Sequence, residues 1–304
     1  MILSEVPETE LARRIGAEGL TLECGPFVVR VSSPIAAIPQ GLGLLYADYP
    51  VLDNDAFADI HIRLVRHRRL GPLGAPQVVF DFDGERPFSP LPLAHAWPCF
   101  EWALNWSIAS SANYYLVLHA AVLERGGQAL IMPGPPGSGK STLCAALTAR
   151  DWRLLSDELT LIDMECRGIV PVPRPISLKN QSIQIIRSYI PDGVLSRTVH
   201  YTAKGSVAHL KPQSSDVRRA GDNAKPGWIV FPTYVAGAAA RLAPRSRADT
   251  VLELGNNSFN YHIQGQLGFE TVADIVEASR CYDLEYGSLD DAIAAFERVA
   301  GTRS

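Results

Sequence analysis

The sequence predicts an α/β domain built around a glycine-rich loop, with a β-rich region in front of it. The loop occupies residues 134–142, where the letters GPPGSGKST fit the pattern G-x-x-x-x-G-K-[ST]. An apolar run at 128–133 precedes the loop, and apolar residues at helical spacing follow it. Before residue 93, several stretches alternate apolar and polar side chains as half-buried strands do. The 304 residues are enough for one large domain or two ordinary ones.

Bulk composition excludes some classes of partner. Hydrophobic residues make up 47% of the chain, which is typical of a folded globular protein, and the net charge of −4 argues against a nucleic-acid partner held by positive charge. The start of the chain lacks the pattern of a signal peptide, and no apolar run is long enough for a bilayer, so no membrane partner is expected. Scattered cysteines, odd in number, predict reduced thiols and a cytoplasmic location: Cys24, Cys99, Cys144, Cys166 and Cys281.

Residues 1–93 are predicted to form a β-rich accessory domain. Two predicted strands, at residues 20–24 and 27–31, flank a Gly-Pro turn. Apolar and polar side chains alternate along residues 58–65, and a further predicted strand at 77–84 ends at an Asp-Gly turn. None of the residues in this region has the spacing of a catalytic or metal site. We interpret the region as an accessory domain, with substrate or partner recognition as a candidate role.

Residues 94–112 are predicted to form a connecting helix. Apolar and aromatic side chains recur along it at helical spacing. Such a stripe is far more often part of a core than a ligand platform. The members of the stripe are Trp97, Phe100, Leu104, Trp106 and Ile108.

Residues 113–304 are predicted to form the domain that carries the loop. A strand at 114–124, a turn at 125–127 and a strand at 128–133 form a hairpin that leads into the loop and its helix. A strand at 159–163 and a short helix at 181–190 follow. Residues 191–226 are polar and irregular, which fits either a mobile substrate lid or a plain surface loop. A buried strand at 227–234 and helices at about 270–280 and 287–300 complete the chain.

The loop has the chemistry of a phosphate-binding site. Glycines allow successive backbone N–H groups to point inward, and the helix that starts there adds its own unpaired N–H groups. Lys140 is expected to reach the β- and γ-phosphates, and the Ser141 hydroxyl is expected to ligate Mg²⁺. The sequence therefore predicts nucleoside triphosphate binding by Gly134, Pro135, Pro136, Gly137, Ser138, Gly139, Lys140, Ser141 and Thr142.

Two adjacent acidic residues, and the absence of two other motifs, narrow the class of nucleotide-binding protein. Asp157 and Glu158 begin seventeen residues after Lys140, one helix beyond the loop. The chain contains no L-S-G-G-Q-like run of an ABC ATPase and no N-K-x-D guanine reader of a GTPase. An exposed turn at the end of a strand is the alternative interpretation of the pair.

With these motifs in place, residues 114–165 resemble the core of bacterial HPr serine kinase/phosphorylase, and residues 166–300 resemble it loosely. His119 precedes the loop by the distance seen in that family, and Ser156-Asp157-Glu158 takes the place of its Ala-Asp-Asp step. The whole chain is most similar to the HPr-kinase-related kinases, a group associated with peptide-modification systems. The resemblance implies an α/β P-loop kinase domain of the HPr-kinase type that uses ATP and Mg²⁺.

The resemblance also implies roles for individual residues. Asp157 would be the catalytic base that accepts the proton of an attacking hydroxyl, with Lys140 neutralising charge on the phosphates. Glu158 would help to hold the metal, beside Ser141. His119 would orient Asp157 or stabilise the protonation state of the site, although a core histidine is nearly as good an interpretation.

One segment departs from the family pattern. Residues 174–181 lack the metal-binding glutamate of the HPr kinases, and Gln181 stands near its expected place. This departure speaks against HPr itself as the acceptor and against the reverse phosphorolysis. Arg174, Lys179 and Lys204 are expected to contact phosphate or substrate, with ordinary surface charges as the alternative.

The predicted function is therefore ATP- and Mg²⁺-dependent transfer of a phosphate to a hydroxyl, foremost a serine of a peptide or small protein. A small-molecule kinase and a nucleotide-dependent ATPase switch without phosphotransfer are the alternatives. Assembly into a homo-oligomer is a further expectation from the resemblance. The sequence leaves open the acceptor, the base preference and the role of residues 1–93.

Overall fold

A computed structural model describes residues 1–68 and 74–301. The N-terminal part forms one mixed sheet in the order β3-β1-β2-β4-β5-β6, in which only β2 and β4 run parallel. Its strands are β1 (Leu20–Cys24), β2 (Phe27–Ser32), β3 (Val51–Leu52), β4 (Ile60–Arg68), β5 (Pro76–Asp81) and β6 (Leu91–Pro92). Helices α1 (Glu8–Gly16) and α2 (Ala37–Leu45) pack with this sheet, and neither was predicted within the β-rich region. The predicted Asp-Gly turn after β5 is confirmed, with positive φ at Asp83 and Gly84.

Helix α3 (Ala96–Ser111) occupies most of the predicted connecting segment. It is buried on nearly all sides, because its aromatic and aliphatic residues face the N-terminal sheet and the following domain together. Its core extends to Val117, Leu159 and Val172. The N-terminal sheet, α3 and the start of the loop-bearing domain therefore share one hydrophobic core.

The central sheet positions the glycine loop. Its strands follow the order β11-β10-β7-β8-β15-β17-β16, with β9 pairing on β7, and β8, β15 and β17 run parallel. The strands are β7 (Tyr115–Arg125), β8 (Gln128–Pro133), β9 (Arg153–Ser156), β10 (Leu159–Asp163), β11 (Ile169–Val170), β15 (Lys225–Tyr234), β16 (Arg241–Pro244) and β17 (Arg280–Tyr286).

The remaining elements cover this sheet. A small antiparallel sheet in the order β12-β14-β13 lies beyond β11 in the chain. Its strands and the other helices are β12 (Ile176–Lys179), β13 (Val199–Thr202), β14 (Gly205–Leu210), α4 (Lys140–Thr148), α5 (Gln181–Tyr189), α6 (Ser214–Arg218), α7 (Arg247–Asn256), α8 (Tyr261–Glu277) and α9 (Leu289–Gly301). Helices α4, α5 and α9 share one core with the sheet, and α7 and α8 share another.

Strand β7 shows how alternation divides these cores. Leu116 and Leu118 belong to the core under α7 and α8, whereas Val117 faces the α3 core and Leu123 faces the α4 core. A period of two along the strand places successive side chains on opposite faces of the sheet. Because helices cover both faces of the sheet, the sequence of β7 is an almost continuous run of apolar residues.

Several predicted elements are confirmed and others are wrong. The hairpin of β7 and β8, strand β10 and helix α5 lie where the sequence placed them. Residues 191–226 were predicted to be irregular, but they contain β13, β14 and α6. Their strands are short and rich in polar residues, so their alternation is weak in the sequence. Among the described residues, no helix has the length and apolarity needed to cross a bilayer.

Candidate functional site

The glycine loop joins the end of β8 to the start of α4. Gly137 and Gly139 have φ values of 89° and 96°, a left-handed region that residues with a Cβ rarely adopt. Gly139 is the residue that caps α4, whose first helical residue is Lys140. The backbone N–H groups at this helix start therefore lie beside the loop, in the arrangement that binds anions.

A close contact fixes Gly139. A Cβ at this position would lie 2.3 Å from the Tyr286 hydroxyl oxygen, nearer than two such atoms can approach. The Tyr286 hydroxyl donates to the Gly139 carbonyl oxygen at 3.4 Å, and the Tyr286 side chain is buried at the end of β17. The end of the loop is thus held against the parallel strands, which leaves room for glycine alone.

Lys140 folds back over the loop. Its ammonium group donates to the carbonyl oxygens of Gly134 and Pro135, and the side chain is buried. Burial lowers the pKa of Lys140, and the nearby carboxylate of Asp157 opposes that decrease. The lysine charge and the Asp157 charge therefore act on one another within a single site.

Asp157 is the buried member of the acidic pair. It follows β9, and its Oδ2 accepts a hydrogen bond from the Ser177 backbone N–H at 2.9 Å. Its Oδ1 is buried and has no hydrogen-bond partner among the described residues. Burial, and next the Glu158 charge, raise the pKa of Asp157 to about 6, against the opposing influence of Ser177 and of the Ser141 side chain. An unpartnered oxygen and a raised pKa are properties of a proton acceptor rather than of a surface turn.

Glu158 has the opposite environment. Its side chain is partly exposed, its Oε2 accepts from the Asn105 amide at 2.8 Å, and its Oε1 lies 4.0 Å from Lys204 Nζ. Burial acts to raise the pKa of Glu158, but Lys204, Lys179 and Arg174 outweigh it, so the pKa is lowered. The two adjacent carboxyl groups are therefore shifted in opposite directions.

Arg174 is buried beside the acidic pair and contacts residues of helix α3. It is 6% exposed, its guanidinium donates to the Asn105 side-chain oxygen, and Nη1 lies 3.8 Å from Glu101 Oε2. Glu101 in turn accepts from the Tyr46 hydroxyl at 3.0 Å. Burial raises the pKa of Glu101 to about 7, although Arg174 and Tyr46 oppose the rise. A series of polar contacts therefore connects the end of α2 to Glu158. Its members are Tyr46, Glu101, Arg174, Asn105 and Glu158.

Glu101 and Asn105 were missed at the sequence level. The α3 segment was interpreted as core because of its aromatic stripe. Two polar residues four positions apart in the middle of a mostly apolar helix were the available signal, because they fall on one face. Their partners lie far away in the chain, so the role of that face could not be deduced from the segment alone.

The side of the acidic pair on which Glu158 Oε1 faces the exposed Lys204 is called its open side, and the other predicted cation and His119 lie near Glu158. Lys204 lies over the Trp102 ring at 5.4 Å from its centroid, and Lys179 lies near enough to lower the pKa of Glu158. The His119 ring packs 5.7 Å from the Phe259 ring, and no hydrogen bond joins it to Asp157 in the described part of the chain. Burial, then Lys140, lowers the pKa of His119, so the ring favours its neutral form beside these cations.

The oxygen atoms of the site fit a small hard cation. No group of three or more His, Cys, Asp or Glu side chains that could hold a metal is present among the described residues. A set composed of the Ser141 hydroxyl, the Glu158 carboxylate and substrate phosphates nevertheless matches the way in which Mg²⁺ is usually bound, with few protein ligands. The orphaned Asp157 Oδ1 adds an acceptor oxygen beside this set.

No model of a known protein family matches this chain. A search of curated proteins also found no significant match.

Proposed function

We propose that this chain is an ATP- and Mg²⁺-dependent kinase of the HPr-kinase type. The observation that carries the proposal is the pairing of the glycine loop with Asp157, whose Oδ1 is buried and unpartnered beside Ser141 and Lys140. A glycine loop alone supports nucleotide binding. The buried carboxylate adds a base at the phosphate end of the site, which phosphoryl transfer to a hydroxyl requires.

The residues divide the chemistry between them. Loop N–H groups and Lys140 hold the β- and γ-phosphates of ATP, and Lys140 must release the Gly134 and Pro135 carbonyl oxygens to do so. Asp157 accepts the proton of the acceptor hydroxyl. A bond forms between that hydroxyl oxygen and the γ-phosphorus while the bond from the γ-phosphorus to the bridging oxygen breaks, and ADP leaves.

Ser141 and Glu158 are the proposed metal ligands. When bound, Mg²⁺ neutralises charge on the phosphate oxygens. Asn105 and Arg174 hold Glu158 from behind, so that its carboxylate is directed by α3. Lys179 and Lys204 place two positive charges on the open side of the pair, where they would favour an anionic transition state.

The acceptor class rests on the resemblance of residues 114–165 to the serine kinases. We propose a serine hydroxyl in a peptide or small protein. The His119 ring, which favours its neutral form, and the exposed Phe259 ring that packs on it are the apolar surface that would contact such an acceptor.

Transfer of labelled γ-phosphate from ATP into fractions of a cell lysate tests the proposal. Wild type should label one acceptor band, and Asp157→Asn should lower the labelling by about 10²- to 10⁴-fold, because the proton acceptor is lost. Asp151→Asn is the matched control. Asp151 is an exposed residue at the far end of α4, and its positive φ suits asparagine.

The alternatives give different results in the same experiment. Label in a small molecule that depends on Asp157 would identify a small-molecule kinase. Label that appears only as free phosphate, in equal amounts from wild type and Asp157→Asn, would refute phosphotransfer and favour an ATPase switch.

A further inference from the structure

Tyr234 is an exposed aromatic residue beside the glycine loop, on the side away from the acidic pair. In the central sheet β8 lies between β7 and β15. Asp157 follows β9, which pairs with β7, whereas Tyr234 ends β15. Neighbouring strands are about 4.8 Å apart, so Tyr234 and the acidic pair flank the loop on opposite sides.

The Tyr234 side chain is directly next to the loop. A Cβ built on Gly139 would lie 3.4 Å from the Tyr234 Cβ. The Tyr234 ring also packs edge-on against the buried Tyr286 ring, with centroids 5.7 Å apart and planes at 70°. The same two tyrosines therefore border the point where the loop becomes helix α4.

The backbone that carries Tyr234 is firmly held. The Val235 N–H donates to the Tyr286 carbonyl oxygen at 2.9 Å, and the Ala238 N–H donates to the Val235 carbonyl oxygen at 3.0 Å. A Cβ on Gly287 would lie only 2.7 Å from backbone atoms of Val235 and Ala238. Tyr234 thus keeps about half of its surface exposed, 51%, at the end of a strand that is paired with the end of β17.

We propose that Tyr234 is the stacking platform for the base of the nucleoside triphosphate. This inference rests on the proposed nucleotide site. In sheets of this kind, ligands bind at the carboxyl ends of the parallel strands, here those of β8, β15 and β17. Asp157 fixes the γ-phosphate end on the β7 side, so the nucleoside extends towards β15. An aromatic ring there offers a flat apolar face to a base.

Stacking on Tyr234 is not expected to distinguish adenine from guanine. Residues 235–240, with the sequence VAGAAA, follow Tyr234 and carry no polar side chain. Stacking depends on the π-face that every base has, and hydrogen bonds to base edges are what distinguish one base from another. ATP and GTP should therefore bind with comparable affinity.

Equilibrium binding of ATP, GTP and tripolyphosphate, each with Mg²⁺, tests the platform. Tripolyphosphate has the phosphates without the base, so it reports on the loop alone. The proteins are wild type, Tyr234→Ala, Tyr234→Phe and the control Tyr114→Ala. Tyr114 is similarly exposed, at 57%, but precedes β7 and packs on Phe27 of the N-terminal sheet.

Tyr234→Ala should weaken ATP and GTP binding about 5- to 150-fold, as loss of one stacked base does, and should leave tripolyphosphate binding unchanged. Tyr234→Phe and Tyr114→Ala should bind all three ligands as the wild type does.

Three results would overturn the inference. Unchanged ATP binding by Tyr234→Ala would show that Tyr234 does not stack on the base. An equal loss of affinity for tripolyphosphate would show that Tyr234 only supports the loop. A preference for ATP over GTP above about tenfold would reveal a polar base reader. Wild-type protein that binds neither ATP nor tripolyphosphate would refute the nucleotide site as a whole, a failure distinct from these.

Discussion

The Asn105 side-chain amide joins two charges that come from distant parts of the chain. Its N–H donates to Glu158 Oε2 at 2.8 Å, and its oxygen accepts from the Arg174 guanidinium. This arrangement fixes the orientation of the amide, since only the oxygen can accept and only the nitrogen can donate. A residue of the connecting helix thereby sets the position of a proposed metal ligand.

Asn105→Ala should reduce phosphotransfer and raise the Mg²⁺ concentration needed for half-maximal rate, because Glu158 would lose the partner that positions it. Loss of a buried hydrogen-bond partner also costs about 1–3 kcal/mol in the free energy of unfolding. Kinetics as a function of Mg²⁺ concentration, together with urea unfolding, measure both effects. Ser110→Ala, at an exposed position near the end of the same helix, is the control. A variant that lost stability alone, with an unaltered Mg²⁺ dependence, would show that Asn105 is purely structural.

Asp157→Asn should stabilise the metal-free protein at pH 8. The folded-state pKa of about 6 lies above the ordinary value of 3.8, so the folded protein binds the proton more tightly. Wild type therefore loses stability as the pH rises from about 4 to about 6, and above that range it carries a penalty of about 3 kcal/mol. A neutral asparagine avoids the penalty. Thermal unfolding at pH 8 and pH 4 in the presence of a chelator checks this, and a gain of equal size at both pH values would contradict the assigned shift.

Glu158→Gln should have the opposite effect. The lowered pKa of Glu158 means that its charged form contributes to stability above its unfolded-state pKa and that this contribution is lost as the pH falls. The variant should therefore be less stable than wild type at pH 8, by less than about 1 kcal/mol because the side chain is partly exposed. The difference in unfolding temperature between the two proteins should shrink as the pH falls below the ordinary glutamate pKa of 4.5. Stabilisation of Glu158→Gln at pH 8 would be incompatible with the surrounding cations.

Arg174→Met should destabilise the protein by about 3–5 kcal/mol, because it leaves Glu101 buried without its cation. The double variant Glu101→Leu with Arg174→Met should recover part of that loss, since neither charge is then buried. Phosphotransfer should stay low in both, because Asn105 would still lack the guanidinium that orients it. Denaturant unfolding of the four members of this double-mutant cycle measures the coupling, and additive losses would rule out an interaction between the two residues.

Gly139→Ala should abolish binding of ATP and of tripolyphosphate alike. A left-handed φ costs a residue with a Cβ about 1–2 kcal/mol, and the added Cβ overlaps the Tyr286 hydroxyl. Gly137→Ala has a similar φ but open space around its Cβ, so it should lose less stability. Adding Tyr286→Phe removes the overlapping oxygen and should partly rescue Gly139→Ala. Equal losses for the two alanine variants would show that the contact with Tyr286 is unimportant.

The local parts of the site could be predicted from the sequence. The strand before the loop, the loop and its helix are contiguous, so periodicity and the glycine pattern were sufficient. Asp157 and Glu158 could be proposed because they follow within one helix. The opposite environments of the two carboxyl groups could not be predicted, because the residues that contact them belong to other elements: Ser177, Lys204 and Asn105.

Long-range packing accounts for most of what sequence reasoning missed. Arg174 was expected to face substrate, yet it is buried against α3, because its partners Glu101 and Asn105 lie about seventy residues earlier. Helices α1, α2 and α7 were not predicted, and the three are only nine or ten residues long. Short helices owe their stability chiefly to the surfaces on which they pack, and those surfaces are not apparent in a local window.

The shared core around α3 limits how this protein can be divided. Leu159 and Leu161 of β10, which directly follow the acidic pair, lie in the same core as the N-terminal sheet. A fragment starting at residue 113 would expose that surface and would lack Glu101 and Asn105. Separation of the two parts would therefore expose apolar surface on both, because each part covers the other along α3 and β10.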